Sequence, residues 1–261
     1  LPIVFIHRGT NDYLAYSVAQ AHWTNPNSSI FLLGDDANVG IPFAQHFAFK
    51  DYFKRAYDFS LIYQHYSDNP PDYELFCIQR WLILNDFMHA HNIDSTLYLD
   101  SDVLIYSSMT EMLDNLPAVD LGIAKPAGSS VSPAICFLLN REVLDEFCEL
   151  IVSIYKSAEL TKNILEDHYR KCQIRGVYGG ACDMTLFDHY LLQSKRNISN
   201  LLEINSDNYF DASIFRLDDF ESEENGMKKI IFDNGIPFCI HKSTGHKRRF
   251  HNLHFQGASK A

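Results

Sequence analysis

Two aspartates one residue apart follow a short apolar run, and their spacing is the clearest sign of chemistry in this chain. The stretch 96–105 (TLYLDSDVLI) begins like a buried strand of an α/β protein and passes through Asp100 and Asp102. Such proteins bind ligands beyond the carboxyl ends of their strands, and residues i and i+2 of an extended backbone point to the same side. Two carboxylates held this way repel each other, which raises the pKa of one of them unless a cation lies between or beside them. The pattern predicts a divalent-metal site, and a solvated aspartate-rich turn is the alternative.

A second set of residues with this kind of chemistry lies near the end of the sequence. His254, Gly257 and Lys260 have the spacing H-x-x-G-x-x-K. An imidazole can complete a metal shell, a glycine lets the backbone approach a diphosphate, and a lysine places a point charge on it. His241 starts a similar run, but its glycine is four residues on rather than three, so we choose His254 as the candidate ligand.

Two further charged residues lie where they could reach the same site. Arg80 is on a mostly apolar helix predicted over residues 71–91, twenty residues before Asp100. A cation in that setting is either paired with an acid or directed at a ligand, and both remain open. Asp183 follows a glycine-rich turn and begins another predicted helix, whose N-terminus stabilises a carboxylate. Helix capping alone would also explain this aspartate.

The N-terminal residues predict a βαβ unit that can hold a nucleotide. We expect a strand over residues 3–7, a helix over 11–23 and a second strand over 30–33. Four residues at or just beyond the end of the first strand are candidates to contact a base or ribose: His7, Arg8, Gly9 and Tyr13. Ordinary packing is the alternative for the histidine and the tyrosine.

The rest of the sequence alternates strand and helix patterns. Further strands are expected over 120–124 and 134–139, helices over 141–155 and 160–171, and a hairpin over 229–240 around an Asp-Asn-Gly turn. The aromatic-rich region 42–69 gives no clear assignment. At 261 residues, one α/β domain is the simplest organisation.

Composition limits the classes of function. Apolar residues make up 46% and charged residues 21%, as in ordinary globular proteins. The net charge of −11 argues against nucleic-acid binding, and no apolar run is long enough for a membrane span. Residues 241–260 nevertheless carry five cations and no acid, which suggests that they meet an anion. The six scattered cysteines predict reduced thiols and a cytoplasmic location.

Taken in order, these motifs resemble the GT-A glycosyltransferases, most closely the family 8 group that includes glycogenin and bacterial galactosyltransferases. The resemblance implies an α/β, Rossmann-like fold with a mixed central sheet flanked by helices. It also implies a single domain over 1–261, with a nucleotide-binding half (1–106), an acceptor half (107–240) and a basic C-terminal tail (241–261) that binds metal and diphosphate.

The resemblance also implies residue roles. Asp100, Asp102 and His254 would hold Mn²⁺ or Mg²⁺. Arg80 would reach the donor sugar or phosphate, and Asp183 would contact the transferred sugar; Met184 stands where the family has glutamine. The residues expected to bind the nucleotide and its diphosphate are His7, Arg8, Gly9, Tyr13, Asp100, Ser101, Gly257 and Lys260.

The expected activity is transfer of a sugar from a nucleotide-diphosphate donor to a glycan or other hydroxyl acceptor. A UDP-sugar is the expected donor because UDP is the commonest nucleotide, and the family retains the anomeric configuration. Inversion would instead need a carboxylate base such as Asp183.

Two other classes of protein stay open. A phosphohydrolase of the HAD type uses D-x-D-x-[TV], but Leu104 occupies the fifth position here. A non-catalytic nucleotide-sugar-binding module would keep the same residues without turnover.

Overall fold

The computed structural model describes residues 1–114, 116, 118–203 and 208–257. The strands in chain order are β1 (Ile3–Ile6), β2 (Ile30–Gly34), β3 (Gln45–Ala48), β4 (Thr96–Leu99), β5 (Val103–Ile105), β6 (Leu121–Ala124), β7 (Ser132–Leu138), β8 (Ile198–Asn200), β9 (Asn208–Tyr209), β10 (Ile231–Asp233), β11 (Ile236–Ile240), β12 (Lys247–Phe250) and β13 (Asn252–His254).

The α-helices in chain order are α1 (Asp12–Thr24), α2 (Lys54–Ser60), α3 (Pro71–Ala90), α4 (Met109–Asp114), α5 (Arg141–Lys156), α6 (Ala158–Leu160), α7 (Asp167–Arg175) and α8 (Asp183–Gln193). A π-helical turn over Thr161–Glu166 joins α6 to α7, and short 3-10 turns lie at Asp36–Asn38, Phe49–Tyr52 and Leu201–Glu203.

A mixed sheet of seven strands forms the centre of the molecule, in the order β3-β2-β1-β4-β7-β6-β8. Strands β1 to β4 pair in parallel, which the βαβ pattern predicts, whereas β7 runs antiparallel to both β4 and β6. The carboxyl ends of β1 and β4 are therefore neighbours, and the residues that follow these two strands meet at one edge of the sheet.

Both faces of this sheet are buried because side chains alternate along each strand. In β1, Val4 packs in the core beneath α3, α5 and α8, whereas Phe5 packs in the core beneath α1 and α4. Helix α3 is apolar around most of its circumference, and half of its residues are buried, as its sequence predicts. This buried helix carries Arg80 under the end of β4.

Residues 241–257, the described part of the predicted basic tail, are packed against the rest of the protein. Strand β12 lies in a four-stranded sheet of order β10-β11-β12-β9, and β13 pairs antiparallel with β5. Arg249 forms an ion pair with Glu111 on α4, so part of the positive charge is already neutralised within the fold. The hairpin of β10 and β11 confirms the Asp-Asn-Gly turn, with Asn234 and Gly235 at positive φ.

No helix in the described part of the chain combines the length and the apolar character that are needed to cross a membrane.

Candidate active site

The two aspartates of the D-x-D motif lie in a tight turn between β4 and β5. The turn closes with the backbone N–H of Val103 donating to the carbonyl of Asp100 at 3.1 Å, and the N–H of Asp100 donates to Ala134 of β7 at 2.8 Å. The chain therefore leaves the central sheet directly after the first aspartate. Asp102 is almost completely buried, and the side chain of Asp100 is 21% exposed.

The pairing of β13 with β5 brings His254 to this turn. His254 lies opposite Val103 in the register, and the N–H of Phe255 donates to the carbonyl of Asp102 at 3.0 Å. The Nε2 atom of His254 is 3.5 Å from Oδ1 of Asp102. Candidate ligand atoms of Asp100, Asp102 and His254 all lie within 4.8 Å of one another. The structure thus brings together the three residues that the sequence predicts as metal ligands.

The orientation of the His254 ring fixes which nitrogen can act as a ligand. Its Nδ1 atom is 2.7 Å from the carbonyl oxygen of Ala212. Because a carbonyl oxygen only accepts hydrogen bonds, Nδ1 carries the proton and donates it. Nε2 then faces Asp102 with its lone pair available. Histidines that bind metals typically have such an acceptor behind the other ring nitrogen.

Burial and neighbouring charges shift the pKa values of two groups in this cluster. Burial raises the pKa of Asp100, with a further rise from the charge on Asp102, although Arg80 opposes both effects. For His254, burial disfavours the charged form, but the neighbouring Asp102 outweighs it and raises the pKa of the imidazole. Two carboxylates and one imidazole, all at least partly buried, fit a divalent cation that would replace bound protons.

Arg80 bridges a predicted metal ligand, Asp100, and the predicted catalytic carboxylate, Asp183. Its Nη1 donates to Oδ1 of Asp100 at 2.5 Å, and its Nη2 donates to Oδ2 of Asp183 at 2.6 Å. The guanidinium lies close to the rings of Trp81 and Tyr98, at 5.4 and 5.6 Å from their centroids. Of the two alternatives open from the sequence, the structure therefore shows a cation paired with acids. Contact of Arg80 with a donor stays a prediction.

Both carboxylate oxygens of Asp183 accept hydrogen bonds from the protein. Oδ2 accepts from Arg80 and, at 3.0 Å, from the indole N–H of Trp81. Oδ1 accepts from the backbone N–H of Met184 at 2.9 Å, and Asp183 is the first residue of α8, where the helix N-terminus stabilises a carboxylate. The side chain is 6% exposed. Asp183 is thus both a helix-start residue and a partner of the central arginine.

The loop after β1 meets the D-x-D turn. Nδ1 of His7 is 2.9 Å from Oγ of Ser101, the residue between the two aspartates. Gly9 has a φ of +84°, which favours glycine, and its N–H donates to the carboxylate of Asp35 at 2.7 Å. The side chain of Asn38 donates to the carbonyl of Gly9 at 2.8 Å. The ends of β1, β2 and β4 therefore form one continuous edge.

The other predicted nucleotide-binding residues have longer contacts with the rest of the protein or are exposed. Arg8 is partly exposed, with Nη2 3.6 Å from a carboxylate oxygen of Asp72. Tyr13 contacts His7 edge to face, with 6.0 Å between ring centroids. Gly257 is exposed at a φ of +62°. Lys260 lies outside the described residues.

Several residues of the site were not predicted from the sequence. Tyr98 donates its hydroxyl hydrogen to Oδ1 of Asp100 at 2.7 Å, and Trp81 contacts Asp183 as described above. The position of Tyr98, two residues before Asp100 on a strand, places both side chains on one face and could have indicated it. Adjacent residues of a helix point in different directions, so the sequence does not indicate Trp81 in the same way. The contacts of Asp35 and Asn38 with Gly9 depend on tertiary placement, which the local sequence does not indicate.

The fold of this chain is similar to that of a known glycosyltransferase. No family model matches the sequence, and no curated protein matches it by sequence. The structure is similar to apo mouse xyloside xylosyltransferase 1, with a TM-score of 0.55 and 11% identity over 80% of this chain and 87% of that one. It is also similar to the galactosyltransferase LgtC in complex with donor and acceptor sugar analogues, with a TM-score of 0.43 and 16% identity over 80% and 76% of the two chains.

The similarity to the mouse enzyme, together with the mixed seven-stranded sheet, confirms the predicted GT-A fold. At 11% identity this likeness establishes the fold alone. The chemistry of this chain has to be inferred from its own residues, because one fold hosts many activities.

Proposed function

We propose that this protein is a metal-dependent glycosyltransferase that moves a sugar from a nucleotide-diphosphate donor to a glycan or other hydroxyl acceptor. The observation that supports it most is the convergence of Asp100, Asp102 and His254 at the edge where β1 and β4 end. Ligands of α/β proteins bind at such an edge. The chain thus has a fold that glycosyltransferases use, and its candidate metal ligands lie at the edge of the sheet where such a fold would bind a diphosphate and its cation.

The resident cation in this proposal is Mn²⁺, with Mg²⁺ as the second choice. Two carboxylates and an imidazole form a softer ligand set than the oxygen shell that Mg²⁺ prefers. When bound, the cation would stabilise the negative charge that develops on the departing nucleoside diphosphate. Asp100, Asp102 and Nε2 of His254 would hold it, with Nδ1–H anchored on Ala212.

The donor nucleotide, which we propose to be UDP, would bind along the loop after β1. His7, Arg8, Gly9 and Tyr13 lie in or next to this loop, beside Ser101. We propose that Gly257 and Lys260 contact the diphosphate, on which the lysine would place a point charge.

We also propose retention at the anomeric carbon. An inverting mechanism needs a carboxylate that can take a proton from the acceptor hydroxyl. Both oxygens of Asp183, the carboxylate considered for that task, already accept hydrogen bonds from Arg80, Trp81 and the N–H of Met184. In this proposal Asp183 and Arg80 keep a fixed arrangement of charge beside the transferred sugar.

The proposed location is cytoplasmic. All six cysteines are free, which fits a reducing compartment.

The experiment that tests the activity is a panel of nucleotide sugars assayed for release of nucleoside diphosphate, with and without Mn²⁺. We expect release that depends on Mn²⁺, is lost in His254→Ala and is retained in His241→Ala, whose ring contacts Asp219 and is not part of the Asp100, Asp102 and His254 cluster. Binding of a nucleotide sugar without any turnover across acceptors would favour the non-catalytic module. Release of inorganic phosphate from simple phosphomonoesters would favour a phosphohydrolase, for which the GT-A fold offers no support.

A further inference from the structure

A buried ion pair lies directly behind the His254 ligand, on residues to which the sequence gives no role. Nζ of Lys228 is 2.8 Å from Oδ1 of Asp211, and the two side chains are 1% and 0% exposed. Nζ also donates to the carbonyl of Ser213 at 2.9 Å. Because desolvating two charges is costly, an ion pair this deep is a poor means of gaining stability alone.

The acidic member of the pair contacts His254 itself. The other carboxylate oxygen of Asp211, Oδ2, accepts from the backbone N–H of His254 at 2.9 Å. The next residue, Ala212, supplies the carbonyl that accepts from Nδ1 of the ring. Two residues further, the N–H of Ile214 donates to the carbonyl of His254 at 3.0 Å. Residues 211–214 therefore contact His254 through its N–H, its ring and its carbonyl.

Lys228 is the residue that holds this segment together. Its Nζ joins the side chain of Asp211 to the backbone of Ser213, and its own N–H donates to the carbonyl of Ile214 at 2.8 Å. Asn252 fixes the backbone of Asp211 from the other side with two hydrogen bonds, at 3.0 and 2.9 Å. Without the lysine, the carboxylate that supports the N–H of His254 would be a buried, uncompensated charge.

We propose that Lys228 and Asp211 are positioning residues for the metal ligand His254. By fixing residues 211–214, the pair keeps the Ala212 carbonyl on Nδ1, so that Nε2 is the ring atom that faces Asp102. This inference rests on the proposed metal site and extends it to residues that touch neither cation nor substrate.

The test measures Mn²⁺ affinity of the full chain by electron paramagnetic resonance of free Mn²⁺, with Mn²⁺ alone as the probe. In Lys228→Met we expect affinity to fall by about 10- to 100-fold, as for other groups behind metal-bound histidines. The matched control is Lys229→Met, because that neighbouring lysine is 49% exposed and lies 3.9 Å from Glu221. The control should bind Mn²⁺ like the wild type.

A double variant keeps the test open if Lys228→Met does not fold. Asp211→Asn combined with Lys228→Met leaves no unpaired buried charge, and the amide oxygen can still accept from the N–H of His254. If Lys228→Met folds, we expect the Mn²⁺ affinity of the double variant to lie between that of Lys228→Met and that of the wild type. If Lys228→Met does not fold, we expect the double variant to bind Mn²⁺ more weakly than the wild type. Wild-type affinity in the double variant and in any folded single variant would overturn the proposal.

A second readout separates positioning from loss of stability. In metal-free protein labelled with ¹⁵N-histidine, the ring signals of His254 are assigned with a His254→Gln variant and recorded at a pH high enough for the ring to be neutral. They should show protonated Nδ1 in the wild type and a shift toward mixed tautomers in the Lys228 variants. Phe220→Leu, which weakens the nearby apolar cluster of Phe220, Cys239, Phe250 and Leu253, should lower the melting temperature without moving these signals. Unchanged signals in the Lys228 variants would contradict the proposal.

The failure of this inference can be told apart from failure of the metal site. If His254→Ala binds Mn²⁺ as tightly as the wild type, the metal site itself is wrong, and the positioning role falls with it. If His254→Ala loses Mn²⁺ and Lys228→Met does not, only the positioning role is wrong.

Discussion

The two segments that supply the candidate ligands are built in different ways. Asp100 and Asp102 follow β4, a strand in the middle of the central sheet, and the strand itself is completely buried. His254 lies on β13, a three-residue strand that pairs with β5 outside the central sheet and is fixed by contacts with residues 211–214. The first segment is positioned by regular sheet structure, and the second by a small set of specific hydrogen bonds. We therefore expect the aspartates to tolerate remote changes better than the histidine does.

The largest effect should come from the aspartate segment itself. Asp102→Asn keeps the shape of the side chain but removes a charge that the cation would need. We expect Mn²⁺-dependent release of nucleoside diphosphate to fall by about 10²–10³-fold, the usual effect of losing one preorganised electrostatic group.

The control for this change is Asp94→Asn, because the side chain of Asp94 is 83% exposed and lies away from the D-x-D turn. Equal activity in Asp102→Asn and the wild type would show that the segment is structural only.

Arg80, which joins the predicted metal ligand Asp100 to the predicted catalytic residue Asp183, should matter most for stability. Arg80→Met leaves Asp100 and Asp183 without their shared counter-charge in a buried setting. We expect the free energy of unfolding to fall by about 3–5 kcal/mol in urea titrations. Mn²⁺ should recover part of this loss, because the cation compensates Asp100.

Arg170→Met serves as the comparison, since Arg170 forms an exposed i,i+3 pair with Asp167 that should contribute at most about 1 kcal/mol. If Arg80→Met and Arg170→Met unfold at the same urea concentration, the contacts of Arg80 with Asp100 and Asp183 contribute no more to the free energy of unfolding than an exposed ion pair does.

The C-terminal segment should respond to acid more than the aspartate segment does. Burial lowers the pKa of His251 to about 4, and Nδ1 of this ring is 2.7 Å from Oγ of Ser107. A histidine that is neutral when folded but takes up a proton when unfolded gives stability that is complete above pH 6.5 and is lost as the pH falls toward 4. We expect this residue to account for about 3 kcal/mol over that window.

His251→Gln should remove this part of the pH dependence, which denaturant titrations at pH 7, 5.5 and 4.5 would measure. A variant whose stability falls with acid as steeply as that of the wild type would place the sensitivity elsewhere.

A smaller effect is expected at Gly180, which lies between α7 and α8 and packs against the backbone of Tyr66 and Ser67. A Cβ atom on Gly180 would come within 2.3 Å of the carbonyl oxygen of Tyr66 and 2.5 Å of Cα of Ser67. Because both neighbours are backbone atoms, Gly180→Ala must move a loop, and we expect a loss of about 1–3 kcal/mol in the free energy of unfolding. Thermal melts would measure it, and an unchanged melting temperature would mean that the two loops separate easily.

The difference between the two segments also explains what the sequence could predict. Strands β1, β2 and β4 and helix α3 have strong apolar patterns over consecutive residues, so the amino-acid sequence alone places the D-x-D turn at a strand end. The hairpin of β10 and β11 was recognisable from its turn residues. In these parts of the chain, local preference and tertiary structure agree.

Short strands with distant partners could not be predicted in the same way. Strand β3 lies in the aromatic-rich region left unassigned, and β8 and β13 have only three residues each. Their patterns are too short to separate strand from loop, and hydrogen bonds with remote strands decide their structure. The motif around His254 predicted a ligand but not the strand that carries it.

The pairings of charged residues were the least predictable feature of the site. Arg80 could be identified as a cation near the aspartates, but its simultaneous contact with Asp183 joins residues 103 positions apart. The importance of Lys228 depends on a carboxylate 17 residues away and on burial that only the folded chain shows. Neither has a local pattern in the sequence.

The most direct test of the central claim, that Asp100, Asp102 and His254 converge on one cation, is anomalous diffraction at the manganese edge from crystals grown with Mn²⁺ and UDP. We predict one anomalous peak at about 2.0–2.3 Å from a carboxylate oxygen of each aspartate and from Nε2 of His254. A manganese peak without His254 in its coordination shell, or no peak at the D-x-D turn, would contradict this account.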